Sequence, residues 1–215
     1  MNDNDPSNSP QTPRHGHDHR QGWHRDGVSA GWAADDALVE LAGALAPGRA
    51  LDLGAGAGRN SLWLARAGWD VTAVDQSPEA LAQLARSADA ERLTVRTVVG
   101  DIVAVASAAE RFDLVVVANL HPPADERARI FAAAAEAVAP GGHLYVAGHH
   151  VDAFGHAGPP FPERLYTSET LEGAFPGLEI LRHERRQHAA RGGVAIAQQM
   201  AWAHRPSGEG REGLA

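Results

Sequence analysis

The sequence contains no cysteine and no lysine. Without a thiol there is no disulfide framework, no thiolate-ligated zinc and no cysteine nucleophile, so those chemistries are excluded. Positive charge is scarce: 19 arginines stand against 27 acidic residues, for a formal net charge of −8. A nucleic acid would have to be met without a global basic field, so DNA and RNA are disfavoured as substrates. The exclusive use of arginine, with abundant alanine and glycine, reads as genomic composition rather than chemistry. No apolar run approaches the ~18–20 residues that cross a bilayer, and the amino-terminal stretch lacks the apolar core of a signal peptide. The expectation is a cytoplasmic protein with no membrane partner.

What is present is 215 residues, 44% of them hydrophobic, enough for one globular domain with polar tails. Residues 1–22 hold no apolar side chain after Met1 and read as a disordered, His-rich tail in which His15, His17 and His19 alternate. The solvated reading of these histidines outweighs a metal site. Residues 206–215 are Gly-rich and polar and are expected to fray, which leaves 23–205 as the folded unit.

Within that unit helical periodicity alternates with short apolar runs, the pattern of a parallel sheet covered by helices. Helices are expected over Ala34–Leu45, Arg59–Ala67, Ser77–Ser87, Ala124–Val138 and Thr167–Phe175. Strands are expected over Leu51–Leu53, Val71–Val74, Leu93–Val99, Phe112–Ala118 and His143–Ala147. Leu178–His188 and Val194–Ala203 read as a closing hairpin across Arg191-Gly192-Gly193, and Val151–Pro162 as a loop. Phe112–Ala118 (FDLVVVA) is continuously apolar, so it belongs in mid-sheet with both faces covered.

The most informative segment is Ala50–Asn60, where a strand feeds Gly54, Gly56 and Gly58 into a helix. Such a turn presents backbone N–H groups to a polar or anionic ligand with no side chain in the way. A dinucleotide fingerprint places its third glycine one position later, where this chain has Arg59, so the loop is a poor pyrophosphate cradle. Asp75 closes the second strand and offers a carboxylate to both hydroxyls of a ribose. After the third strand Asp101 offers a carboxylate to an exocyclic amine and Ile102 an apolar face to a ring, which suits adenine. The plainer alternatives are that Asp52 caps a turn, Asp75 the helix at Ser77 and Asp101 the helix that follows it.

At these residues the sequence resembles the class I S-adenosylmethionine-dependent methyltransferases, over roughly Ala34 to Arg205. GAGAGRNSLWLARAGWDVTAVD, FDLVVVANL and APGGHLYVAGHH are similar to the small bacterial enzymes of the tellurite-resistance type and their small-molecule relatives. The resemblance implies a Rossmann-like doubly wound α/β sheet of order 3-2-1-4-5-7-6 with the last strand antiparallel. It implies S-adenosyl-L-methionine as cofactor and S-adenosyl-L-homocysteine as product. Asp52, Gly54, Gly56 and Gly58 then line the methionine end, Asp75 binds the ribose, Asp101 and Ile102 hold the adenine, and Asn119 and Leu120 flank the methyl group, with Asn60 and Gln76 also counted among the cofactor-binding residues. It also suggests that Trp23 and Trp32 fold over the cofactor, against an equal reading in which they pack on the first helix.

Ligands of open α/β sheets sit beyond the carboxyl ends of the strands, and that rim carries His121, His149 and His150, with His156 in the adjoining loop. An imidazole titrates near neutrality, which makes the first three the candidate general bases, against a reading as ordinary loop histidines. Phe161 and Tyr166 are candidates to enclose the acceptor, under a loop stiffened by Pro159, Pro160 and Pro162. The resemblance places a His-Arg pair on the penultimate strand at the acceptor site; here His188 is followed by Ala189. Nucleic-acid amino-methyltransferases carry Asn-Pro-Pro-aromatic after the fourth strand, and here the order is Asn119-Leu120-His121-Pro122-Pro123. The expected activity is methylation of a small-molecule N, O or S nucleophile, with Se and Te among those the resemblance admits, and no resident metal. The alternatives are a non-catalytic domain that binds the same cofactor and a nicotinamide-dependent oxidoreductase.

Overall fold

A computed structural model of the chain describes residues 33–108, 110–189 and 195–207. The His-rich tail, Trp23, Trp32, the turn Arg191-Gly192-Gly193 and residues 208–215 lie outside the described residues. In chain order the elements are α1 (Asp36–Ala42), β1 (Arg49–Leu53), α2 (Arg59–Arg66), β2 (Asp70–Asp75), α3 (Pro78–Glu91), β3 (Val95–Val99), α4 (Ile102–Ala106), β4 (Phe112–Ala118), α5 (Ala124–Ala137), β5 (Val138–His149), α6 (Ser168–Leu171), β6 (Glu179–Ala189) and β7 (Ala195–His204).

Short polar side chains start several of the helices. Asp35 accepts from the Ala37 N–H, Ser77 from the Ala80 N–H with Pro78 at the first helical position, and Asp101 from the Ala104 N–H. Between them lies one seven-stranded sheet of order β3-β2-β1-β4-β5-β7-β6. Strands β1 to β5 pair in parallel, and β7 runs antiparallel to both β5 and β6. Side chains alternate across the sheet, as strand geometry demands. Leu51, Leu53, Val115, Val117, Leu144 and Val146 meet α5 and its neighbours on one face, while Ala50, Leu114, Val116, Tyr145 and Ala147 meet α1 on the other. The inner β4 positions Leu114, Val115, Val116 and Val117 are all fully buried, which is why FDLVVVA carries no alternation.

Some boundaries move. The first helix ends at Ala42, capped at Gly43, rather than at Leu45, and α3 runs to Glu91, where Arg92 adopts a left-handed backbone. Helix α4 is an added element, and α6 spans only Ser168–Leu171 because Gly173 follows at φ +67°. Pro140-Gly141-Gly142 does not separate helix from strand: β5 begins at Val138, and the triplet lies where the β4–β5 register shifts between Phe112 and Leu114. Strand order reverses around β1, which pairs with β2 on one side and β4 on the other. The crevice beyond the carboxyl ends of β1, β2 and β4 is where such a sheet takes a ligand.

Candidate functional site

The turn after β1 is held open by its neighbours. The Gly54 and Ala55 N–H groups donate to the Val74 carbonyl, and the Gly56 N–H donates to Asp75 Oδ2 at 2.8 Å. Asp75 Oδ1 accepts from the Ser77 N–H at 2.8 Å, so the carboxylate clamps the glycine turn to the head of α3 while being 8% exposed. A carboxylate has about four acceptor positions, and two remain. A Cβ added at Gly56 would meet nothing within 4 Å, so the turn faces open space there.

Asp52 lies beneath the turn, 2% exposed, accepting from Ser61 Oγ at 2.6 Å. Burial pushes its carboxyl up to about 6, against the pull of Ser61 and the nearby Arg59. Asn60, expected to bind the cofactor, is buried and its Oδ1 accepts from the Asp35 N–H at 3.0 Å, so that oxygen is engaged in tying α2 to the head of α1. Gln76 is exposed at the turn after β2. Asp101 caps α4 through Oδ1, and Ile102 is 6% exposed in the core beside Leu120 and Gly54. The expected adenine pair is thus an exposed carboxylate next to a largely buried side chain.

At the end of β4, Asn119 takes a left-handed backbone at φ +56°, a conformation asparagine tolerates better than most residues, and its Oδ1 is buried with no partner. Leu120 reaches towards Gly54, and its carbonyl accepts from the Tyr166 hydroxyl at 2.6 Å. Tyr166 was expected to face an acceptor; it is a core residue with no exposure, seated in the notch left by Gly148, where an added Cβ would fall 2.7 Å from its ring. Its influence on the rim runs through Leu120 and through His121, whose ring centroid is 5.5 Å away.

His121 Nε2 accepts from the His149 N–H at 3.0 Å and lies 3.3 Å from His149 Nδ1, with the two rings stacked at 4.9 Å. Desolvation first, then the neighbouring His149, pull its pKa down to about 3, against a bond to the Asn119 backbone. A neutral ring with its lone pair already occupied is a poor proton acceptor, which corrects the candidacy of His121 as a base. The main-chain bond makes His121 Nε2 an acceptor, and the roles in its 3.3 Å contact with His149 Nδ1 depend on the tautomer. His150 turns the other way, its Nδ1 accepting from the Asp152 N–H at 3.1 Å and capping a 3₁₀ turn over Val151–Ala153. His156 is exposed and, with Phe154 and Pro160, lines a shallow pocket in the loop. Phe161 lies under the Arg164 guanidinium at 4.5 Å, and His188 belongs to β6 opposite Ile196.

A polar cluster that sequence reasoning missed lies on the α1 side. Asp35, 1% exposed, accepts from Tyr145 Oη at 2.6 Å and from Gln198 Nε2 at 2.7 Å, with Arg59 Nη2 3.8 Å from its Oδ2. Asp35 is legible as a helix cap, but Tyr145 and Gln198 meet it only through the β5–β7 pairing. Among the described residues no group of three or more His, Asp or Glu side chains is arranged to hold a metal, and no helix is long and apolar enough to cross a membrane.

Residues 50–142 match the family described as a methyltransferase domain. The probable S-adenosyl-L-methionine-dependent methyltransferase TehB of Haemophilus influenzae is 39% identical over 79 residues, 37% of this chain and 27% of TehB. The chain therefore spans about a quarter of the length of that curated relative. The crystal structure of TehB from the same organism superposes with a TM-score of 0.67 at 23% identity, covering 80% of this chain and 62% of TehB. The N-methyltransferase NodS of Bradyrhizobium japonicum superposes at 0.61 with 21% identity, covering 75% of this chain and 87% of NodS. Both structures share the fold. Residues 50–142 thus match the methyltransferase-domain model, and the seven-stranded sheet in which they lie is the fold that the TehB and NodS structures also have.

Proposed function

We propose that the protein is an S-adenosylmethionine-dependent methyltransferase acting on a small-molecule nucleophile, with residues 23–205 as the working unit. The observation that carries this reading is the buried Asp75 carboxylate clamped to an open glycine turn, with acceptor positions left over for a ribose diol. The residues fit the cofactor elsewhere too. Asp52, pushed up to about 6 by burial, suits an ammonium group at the methionine end, and Asp101 keeps one oxygen for the adenine amine. Ile102 and Leu120 supply the apolar wall beside Gly54. The cofactor supplies an electrophilic methyl group on a sulfonium.

The chain's contribution is positioning and dryness, because in-line displacement needs the acceptor atom aligned and water kept out. Asn119, held in its left-handed turn with an unpartnered Oδ1, orients an acceptor N–H or O–H. His149, held by its main-chain bond to His121 and stacked on that ring, takes the proton that such a nucleophile loses. The net charge of −8 favours a small acceptor over a nucleic acid.

The test is parallel calorimetric titration with S-adenosylmethionine, S-adenosylhomocysteine and NADH. Micromolar binding of both adenosyl ligands without NADH supports the reading. NADH binding alone would replace it with a nicotinamide enzyme.

A further inference from the structure

We infer that the loop after β5 holds a flat aromatic ring, so that the methyl acceptor is a neutral aromatic compound bearing a hydroxyl or amino group; this rests on the methyltransferase reading above. Residues 154–160 line a cavity of about 390 Å³, near the small end of the range for small-molecule sites and enough for one substituted ring. Gly158 takes φ +81°, and a Cβ added to it would fall 3.2 Å from His149 Cβ and Cγ. The cavity wall therefore lies directly against the proposed proton acceptor. His149 in turn stacks on His121, which follows Asn119 and Leu120 at the end of β4, so the cavity sits beside the place proposed for the methyl group.

The lining sets the chemistry. Phe154 is 47% exposed and lines the cavity, together with the rigid rings of Pro159 and Pro160. The lining holds no carboxylate and no guanidinium, and His156 is its one ionisable side chain, so a charged acceptor finds no fixed counter-ion there. An aromatic side chain pairs with a flat ring in offset or edge-on contact, a gain that a puckered aliphatic ring of the same size does not collect. The wall is also preformed. The His156 and Ala157 N–H groups both donate to the Ala153 carbonyl at 2.9 Å, the Val151 N–H donates to the Tyr166 carbonyl at 3.0 Å, and the prolines restrict the rest. Tyr166 and Phe161, the aromatic residues the sequence offered for this task, are engaged in the core and under Arg164. Phe154 takes the task instead. In the transfer the ring oxygen or nitrogen bonds to the methyl carbon as that carbon's bond to sulfur breaks, the sulfur keeps the electron pair, and the nucleophile's proton passes to His149.

The experiment measures dissociation constants of phenol and cyclohexanol by ligand-observed NMR on the full chain saturated with S-adenosylhomocysteine, as wild type, Phe154→Ala and Phe154→Leu. The two probes share a hydroxyl and a ring size and differ in whether the ring is flat. The wild type is expected to bind phenol about threefold to tenfold tighter. Both variants bring that ratio towards one, the leucine variant because it keeps apolar bulk without the ring. Phe154 is exposed, so both variants are expected to fold, and a thermal melt of each checks it. Equal affinity of the wild type for the two probes, or binding of neither, overturns the inference. So does a preference that survives in either variant, since it then belongs to the hydroxyl or to bulk alone. Failure of the wild type to bind S-adenosylhomocysteine removes the methyltransferase reading and this inference with it, whereas binding of that ligand without discrimination between the rings removes only this inference.

Discussion

Two buried titratable groups at the crevice pull stability in opposite directions with pH. His121 is lowered to about 3 in the folded state, so the unfolded chain binds more protons between there and its ordinary value near 6.5. Its contribution is present above 6.5 and lost as pH falls towards 3, on the order of 5 kcal/mol. Asp52 is raised to about 6, so its contribution is present below about 4 and lost as pH rises through 6, on the order of 3 kcal/mol. Urea unfolding midpoints between pH 4 and 6 should therefore tilt in opposite senses in the two variants. Asp52→Asn should gain stability as pH rises and His121→Gln should lose it, and parallel profiles would contradict both assignments. For catalysis the roles differ: His149→Ala is expected to lower kcat by about 10²-fold with a proton-bearing acceptor, the usual scale for a general base. His121→Gln, which keeps an acceptor for the His149 N–H, should cost less. Equal losses would show that the pair acts as one structural unit.

Among the elements, the rim depends on how β5 meets the loop after it. Gly148 leaves the space that the Tyr166 ring fills, and Tyr166 in turn holds the Leu120 carbonyl at the end of β4. Gly148→Ala forces that ring out of a packed core, with an expected loss of about 2–3 kcal/mol in denaturant unfolding. Retained stability would mean that the ring relocates freely. This arrangement was not legible in the sequence. Phe154–Tyr166 reads as one Gly- and Pro-rich loop, and only the His150–Tyr166 bridge brings Tyr166 against the sheet. His121 and His149 likewise lie 28 residues apart and meet because β4 and β5 run in parallel register. By contrast Phe112–Ala118 was legible to the residue, since a strand buried on both faces shows itself as an unbroken apolar run. Asp75 was legible as well, because a strand end followed by a Ser-Pro helix start fixes its place. Its second task, accepting the Gly56 N–H, was not, since that bond crosses from one strand end to another.

For the whole molecule, the alternation of helix and strand along the chain sufficed for a parallel sheet covered by helices, whereas the doubly wound order was implied only by the family resemblance. The polar cluster of Asp35, Tyr145, Gln198 and Arg59 was hidden because its members come from four elements or their caps and meet only in the folded sheet. The formal charge of −8 belongs to this scale too. A duplex or single-stranded RNA oligonucleotide should show no salt-dependent retention in a filter-binding assay, and a steep salt slope would argue for a nucleic-acid acceptor.

The central claim is that the crevice above the glycine turn binds an adenosyl ligand through Asp75. Its most direct measurement is calorimetric titration of S-adenosylhomocysteine into the wild type and Asp75→Ala, with thermal melts to confirm that both are folded. The account predicts micromolar binding by the wild type and a loss of more than about 1 kcal/mol in the variant, as a pair of charge-assisted hydrogen bonds disappears. Unchanged affinity in Asp75→Ala would contradict the ribose assignment, and no binding by the wild type would contradict the account as a whole.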